Sequence, residues 1–212
     1  MKLEELFKKL SYGELSNLAV AVDASGTIKK EKQNQIVQLI NEGLKKLHAR
    51  LPISEENETV ELTTSAQDHD FIDDALIVTA ILTKEGQSVP FTVGQEIYDS
   101  VYVYQEQVHL PAKLKDVTDS VQITYRKRHA TIEPVTDADS LAQVITLPEE
   151  LEPALSAYIA FRLYAGMNTQ DAQITAANYR ALYEQSINDV LGTGLLADAL
   201  LPMDKFDRRG FV

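Results

Sequence analysis

Asp68, His69, Asp70, Asp73 and Asp74 crowd into one short stretch of the chain. Carboxylate oxygens with one imidazole form a donor set for a divalent cation, and a held cation can activate water for hydrolysis. The stretch lacks the glycine and the closing glutamate of a calcium loop. The same acids would also make a hydrated entrance to a following strand. The alternative reading they support is a metal-dependent hydrolase using Asp68–Asp74; the structural reading assigns them no metal and no catalytic role.

Other chemistry-bearing residues are scattered. His48 lies beside an apolar helical stripe, where an imidazole is more often a satisfied core or interface group than a ligand. His109 and His129 lie in strand-like segments with no acid next to them in sequence. No phosphate-binding glycine loop, dinucleotide fingerprint, nucleophile elbow or zinc-protease helix occurs. Tyr98, Tyr102, Tyr104 and Tyr125 offer rings on which bases could stack, yet no cluster of positive charge supports them, so they read as sheet packing or subunit contact. Arg126-Lys127-Arg128-His129 is the one tight basic run, and it reads as a solvated turn after a strand. No catalytic residue, metal or cofactor is expected.

The carboxyl-terminal segment is different in kind. Leu195, Leu196, Leu200, Leu201, Met203, Phe206 and Phe211, with Arg208 and Arg209 among them, are too apolar for a solvated end. Gly194, Pro202 and Gly210 break them too often for a continuous helix. Such a tail calls for a partner's surface, and burying each large side chain there would contribute roughly 1.5–3 kcal/mol before ordering costs.

The elements that carry these residues alternate between two periods. Leu3, Leu6, Phe7 and Leu10 predict a first short helix, and Ser11-Tyr12-Gly13-Glu14 has the form of a capping box that would open a second one through Leu15, Leu18, Ala19 and Val20. Ile36, Val37, Ile40, Leu44, Leu47 and Leu51 form one stripe of a helix from about Lys29 to Leu51, with Gly43 permitting close packing. From Pro52 the pattern turns to short strands: Thr59–Thr64, Ala75–Thr83, Val89–Val93, Ser100–Tyr104, Gln107–Leu110, Val121–Tyr125 and Ala130–Ile132. These predict a small antiparallel sheet or sandwich. Helical spacing returns at Pro148, with Leu151, Leu155, Tyr158, Ile159 and Leu163 in a stripe. A last helix from Gln170 to Leu191 shows Ala172, Ala176, Tyr179, Leu182, Tyr183, Ile187 and Val190 on one side, and Gly192 suits its C-cap.

The expected fold is therefore α+β. A helical bundle forms from residues 1–55 and 145–191, a β-rich domain is inserted at 56–144, and residues 192–212 make a docking tail. The chain has 212 residues, no cysteine and a formal net charge of -12. Its size supports a core without disulfides, and its charge argues against gripping nucleic acid, because phosphate affinity needs clustered Lys and Arg. No stretch approaches the roughly 18 apolar residues of a membrane span. The start shows no secretory signal, so a soluble, untargeted protein is expected.

Taken together, several segments resemble head-to-tail adaptor proteins of tailed bacteriophages, in particular the tail tubular protein A type of short-tailed phages. They are Leu3-Glu4-Glu5-Leu6, Ser11-Tyr12-Gly13-Glu14-Leu15-Ser16-Asn17-Leu18, Ile40-Asn41-Glu42-Gly43-Leu44, Phe71-Ile72-Asp73-Asp74-Ala75-Leu76, Ile123-Thr124-Tyr125-Arg126-Lys127-Arg128-His129, and Leu147-Pro148 through Met167-Asn168. The resemblance implies a non-enzymatic structural protein of the virion head–tail junction, assembled in the host cytoplasm. It further implies a homo-oligomeric ring, usually a dodecamer, seated between the portal protein and a downstream tail (nozzle) protein. DNA would pass through its channel without sequence-specific binding, and carboxyl-terminal segments would reach into the portal.

Overall fold

Apolar residues at helical spacing make α1, Leu3–Tyr12, and bury Leu3, Leu6, Phe7 and Leu10. The structure, a computed structural model, describes residues 1–16, 18, 20–22, 26–70, 75–95, 99–104 and 107–193. At the start of α1 the Glu5 carboxylate accepts the Lys2 N–H at 2.8 Å, and at its end the Gly13 N–H donates to Lys9 O at 2.9 Å. These bonds satisfy groups that a helix terminus leaves without partners. They also explain why the expected capping box does not act as one. Ser11 ends α1, its hydroxyl turned back to Lys8 O at 3.4 Å, and turns rather than a helix follow among the described residues.

A two-strand hairpin, β1 (Ala21–Val22) and β2 (Thr27–Ile28), leads into α2, Lys30–Arg50. Gly26 turns this hairpin with φ +69°, and a Cβ there would lie 2.5 Å from the Tyr12 ring. The positive φ favours glycine, and any side chain there would also have to displace the exposed Tyr12 ring. In α2 the expected stripe is buried in full, Ile36, Val37, Ile40, Leu44, Leu47 and Leu51 all being 2% exposed or less.

The described chain falls into two compact units: Met1–Leu47 with Thr131–Val212, and His48–Ala130. In the first unit, residues 131–147 run without regular strand pairing, broken by a 3-10 turn at Asp139–Ala142, and are held by side-chain amides. Asn41 of α2 donates to Ile132 O and accepts the Ile132 N–H, each at 2.9 Å, as a strand neighbour would. Asn34, two turns earlier on α2, accepts the Val135 N–H at 2.8 Å. Gln143 closes the same segment on itself, accepting the Glu133 N–H at 2.7 Å and donating to Ser140 O at 2.8 Å. The chain start pairs alongside, with Leu3 N–H to Gln143 O at 2.9 Å and Ile145 N–H to Met1 O at 2.8 Å. Ala130–Ile132, expected as a strand, is thus extended backbone served by side chains.

A short 3-10 turn, Glu149–Leu151, opens α3, Glu152–Ala165, with Pro153 in its first turn. Most of α3 is buried, as its nearly all-apolar sequence requires. Gly43 lets α2 approach it: a Cβ at Gly43 would meet Leu155 Cδ1 at 2.7 Å and Tyr158 Cδ1 at 2.9 Å. α4, Gln170–Thr193, packs beside α3 through Ala172, Ala176, Tyr183, Ile187 and Val190. Gly192 lies inside α4 rather than capping it, and Leu182, expected on the buried side, is 49% exposed.

The second unit is a sandwich of two sheets. One has the order β3-β9-β5, from Glu55–Glu61, Ser120–Lys127 and Ala75–Thr83, antiparallel throughout, with two register shifts in β5. The other has the order β4-β8-β7-β6, from Gln67–Asp70, Gln107–Leu110, Val101–Tyr104 and Phe91–Val93. Its β6–β7 pair is parallel, a departure from the antiparallel expectation. The inner faces supply one core: Val60, Val78, Ile81, Val121 and Ile123 pack with Val101, Val103, Val108 and Leu110. Mixed helix and antiparallel sheet make the fold α+β, as the sequence predicts.

Candidate functional site

The acidic stretch proves to be a strand edge. β4 contains Asp68, His69 and Asp70, and strand alternation sends them to opposite faces. Asp68 Oδ1 lies 2.6 Å from His109 Nδ1 on β8, and Asp70 Oδ1 accepts from Gln107 Nε2 at 2.6 Å. His69 turns the other way, its Nε2 3.2 Å from Glu58 Oε1 of β3, in the sister sheet. The hydrolase reading needs these donors to converge, and the pleat separates them; Asp73 and Asp74 lie outside the described residues. Among the described residues no three His, Asp or Glu side chains group so as to hold a metal.

His109 has the acidic neighbour that sequence order hides, because Asp68 and His109 are register partners. Tyr102 is the next register partner along the same row, and its ring stacks on His109 at 4.6 Å and 12°. Tyr104, on that face, is 42% exposed, whereas Tyr125 is a core residue at 1%. Sheet packing therefore accounts for Tyr102 and Tyr125, and Tyr98 lies outside the described residues.

The basic run is not a solvated turn. Arg126 and Lys127 end β9, where Arg126 Nη1 donates to Ala49 O at 2.7 Å and Lys127 Nζ pairs with Glu56 Oε1 at 2.9 Å. Within the same unit His48 is 4% exposed, with Nδ1 3.0 Å from Lys127 O and no hydrogen bond to Nε2. Its ring meets that of His129 edge-on at 5.7 Å. Burial holds both imidazoles below their ordinary pKa, against the opposing pull of backbone carbonyls at Lys127 and Ala130. The two rings pack against each other, and burial favours their neutral form.

The residues of the docking tail, Leu195 through Phe211, lie outside the described residues. A further surface is visible only in the structure. Along the middle of its outward side α4 carries Ile174, Ala177, Asn178, Ala181, Leu182 and Gln185, all exposed and none charged, with the exposed acids Asp171 and Asp189 on the same side at either end. Sequence reading misses it because the exposed and buried sides of α4 are nearly equally apolar, so periodicity does not separate them.

A family model described as SU10 adaptor protein matches residues 10–201, which reach across both units and into the tail. No curated protein matches the chain. No helix among the described residues is long and apolar enough to cross a membrane. With the match covering most of its length, the chain belongs to the SU10 adaptor protein family of phage head–tail adaptors.

Proposed function

We propose that the chain works without catalysis as a ring-forming adaptor, joining the portal protein to a downstream tail (nozzle) protein in the virion. In this reading it plays the part that the tail tubular protein A type plays in short-tailed phages, with a dodecamer as the ring. The family match over residues 10–201 is the observation that carries it. The six uncharged side chains Ile174, Ala177, Asn178, Ala181, Leu182 and Gln185 suit side-by-side contact between subunits, with Asp171 and Asp189 left at its edges. A net charge of -12 suits a channel through which DNA slides, because an acidic wall repels phosphate.

The tail from Gly194 supplies the assembly contact: Leu195, Leu196, Leu200, Leu201, Met203, Phe206 and Phe211 gain cover on docking, and Arg208 and Arg209 add charge-assisted bonds to the portal. The test is a chain ending at Thr193, compared with the full chain by electron microscopy of complexes with the portal. The shortened chain should keep its circular dichroism spectrum and fail to decorate the portal. Normal decoration by it would refute the assignment.

A further inference from the structure

One groove of the first unit has no function in the reading above. It measures about 340 Å³ and is lined by Leu18, Val20, Leu163 and Met167, with Lys32 and Arg162 at its rim. Met167 is 39% exposed at the groove, so a partner seated there would cover it. Arg162 is fixed, its Nη1 2.8 Å from Glu42 Oε2 and 3.1 Å from the Tyr158 hydroxyl. Lys32 reaches only the neutral Gln35 amide, at 3.4 Å. The groove is thus lined by four apolar side chains and two cationic ones, Arg162 being already paired with Glu42, in a protein of formal net charge -12.

Its complement is in the same chain. Leu195-Leu196-Ala197-Asp198-Ala199-Leu200-Leu201-Pro202-Met203-Asp204 is apolar with two acids and no cation, and the basic residues Lys205, Arg208 and Arg209 begin only after it. We infer that this segment seats in the groove of a second copy of the chain, its leucines on Leu18, Val20, Leu163 and Met167 and its acids toward Lys32 and Arg162.

Reach decides between the same copy and another. Gly166 and Met167 precede the first turn of α4, whereas the tail leaves its last turn at Thr193. A helix of 24 residues spans ~36 Å at ~1.5 Å per residue. A tail returning along its own α4 spends about 11 residues, at ~3.3 Å each, before arriving. That consumes the segment through Asp204 and delivers Lys205, Arg208 and Arg209 to a cationic rim, a like-charge mismatch. A neighbour whose groove adjoins the end of α4 receives Leu195–Asp204 directly. The inference rests on the ring-forming reading and narrows its portal contact: Leu195–Met203, assigned to docking above, serve the neighbouring copy, and Phe206, Arg208, Arg209 and Phe211 remain for the portal.

The absence of cysteine makes the test clean. Met167→Cys and Leu200→Cys chains of distinguishable mass are mixed and oxidised, and the double variant is oxidised alone, each checked for folding by circular dichroism. The expected product is a disulfide between different chains. A disulfide confined within the double variant, or none at all, would overturn the inference. Lys32→Glu in the groove chain should lower the yield several-fold, and Asp198→Lys in the tail chain should restore it. Equal yields throughout would mark random collision and equally count against it. A chain ending at Asp204 should still cross-link but no longer bind the portal. Rings seen by microscopy without the disulfide sink the groove assignment alone, while cross-linked chains that never engage a portal sink the adaptor reading alone.

Discussion

Asp68 and His109 face each other across β4 and β8, carboxylate oxygen to imidazole nitrogen at 2.6 Å, although 41 residues separate them in the chain. The Tyr102 ring stacked on the imidazole completes a row in which the carboxylate is already engaged by a protein partner. Asp68→Asn should therefore cost no more than about 1 kcal/mol, as expected of an exposed pair. Chelator treatment should leave the unfolding temperature of the wild-type protein where it was. A stoichiometric ion in purified protein, lost in Asp70→Asn, would bring back the hydrolase reading.

Gly43 sits where α2 comes nearest α3, with a Cβ position 2.7 Å from Leu155 Cδ1. Gly43→Ala gains helix propensity of about 1 kcal/mol but must push the helices apart, and overpacking of this kind costs about 1–3 kcal/mol. The net effect in urea unfolding should be a loss of stability, larger for Gly43→Val. A stabilised Gly43→Ala would show that Leu155 and Tyr158 give way freely.

Asn41 serves the donor and the acceptor of one residue, Ile132, which is itself 3% exposed. Asn41→Leu keeps the size and strands both backbone groups, at about 1–3 kcal/mol for each unpaired buried group. Asn41→Asp keeps the acceptor only and sets its carboxylate against Ile132 O. Hydrogen exchange at the Ile132 amide reads the difference: accelerated in Asn41→Leu, closer to wild type in Asn41→Asp. Equal protection in both would place the restraint elsewhere.

His48 and His129 make the second unit sensitive to acid. Burial lowers both below the ordinary imidazole value of 6.5, so as pH falls the unfolded chain takes up protons first. Stability is full above that value and is lost as pH falls through the folded-state pKa values. Unfolding free energy measured against pH should be flat above neutrality and decline below it, and His48→Gln should flatten part of the decline. An identical slope in His48→Gln would exclude His48 as its source.

Helices were the most legible part of the sequence, because a buried stripe such as Ile36, Val37, Ile40, Leu44 and Leu47 follows directly from spacing. β4 was not legible: Gln67-Asp68-His69-Asp70 has no apolar residue, and its alternation shows only against partners on β8 and β3. The parallel β6–β7 pair was hidden for the same reason, since register between strands leaves no local mark. Ser11-Tyr12-Gly13-Glu14 misled because the groups that open a helix also close one when the chain has just completed α1. Of the two surfaces proposed for assembly, the tail stands out by composition, whereas the groove draws Leu18, Lys32 and Met167 from distant places and exists only after folding.

The stitching of Met1 and Leu3 to Gln143 and Ile145 has a consequence for the chain as it leaves the ribosome. Leu3, Leu6 and Leu10 emerge before His48–Ala130, yet the segment that completes their surroundings emerges only after the whole of it. The sandwich can close while the earlier-made helices still wait, so the order of maturation runs opposite to the order of synthesis at the amino end. Whatever slows translation or folding of the sandwich prolongs the time those leucines spend uncovered, and with it the window for clumping or for a chaperone.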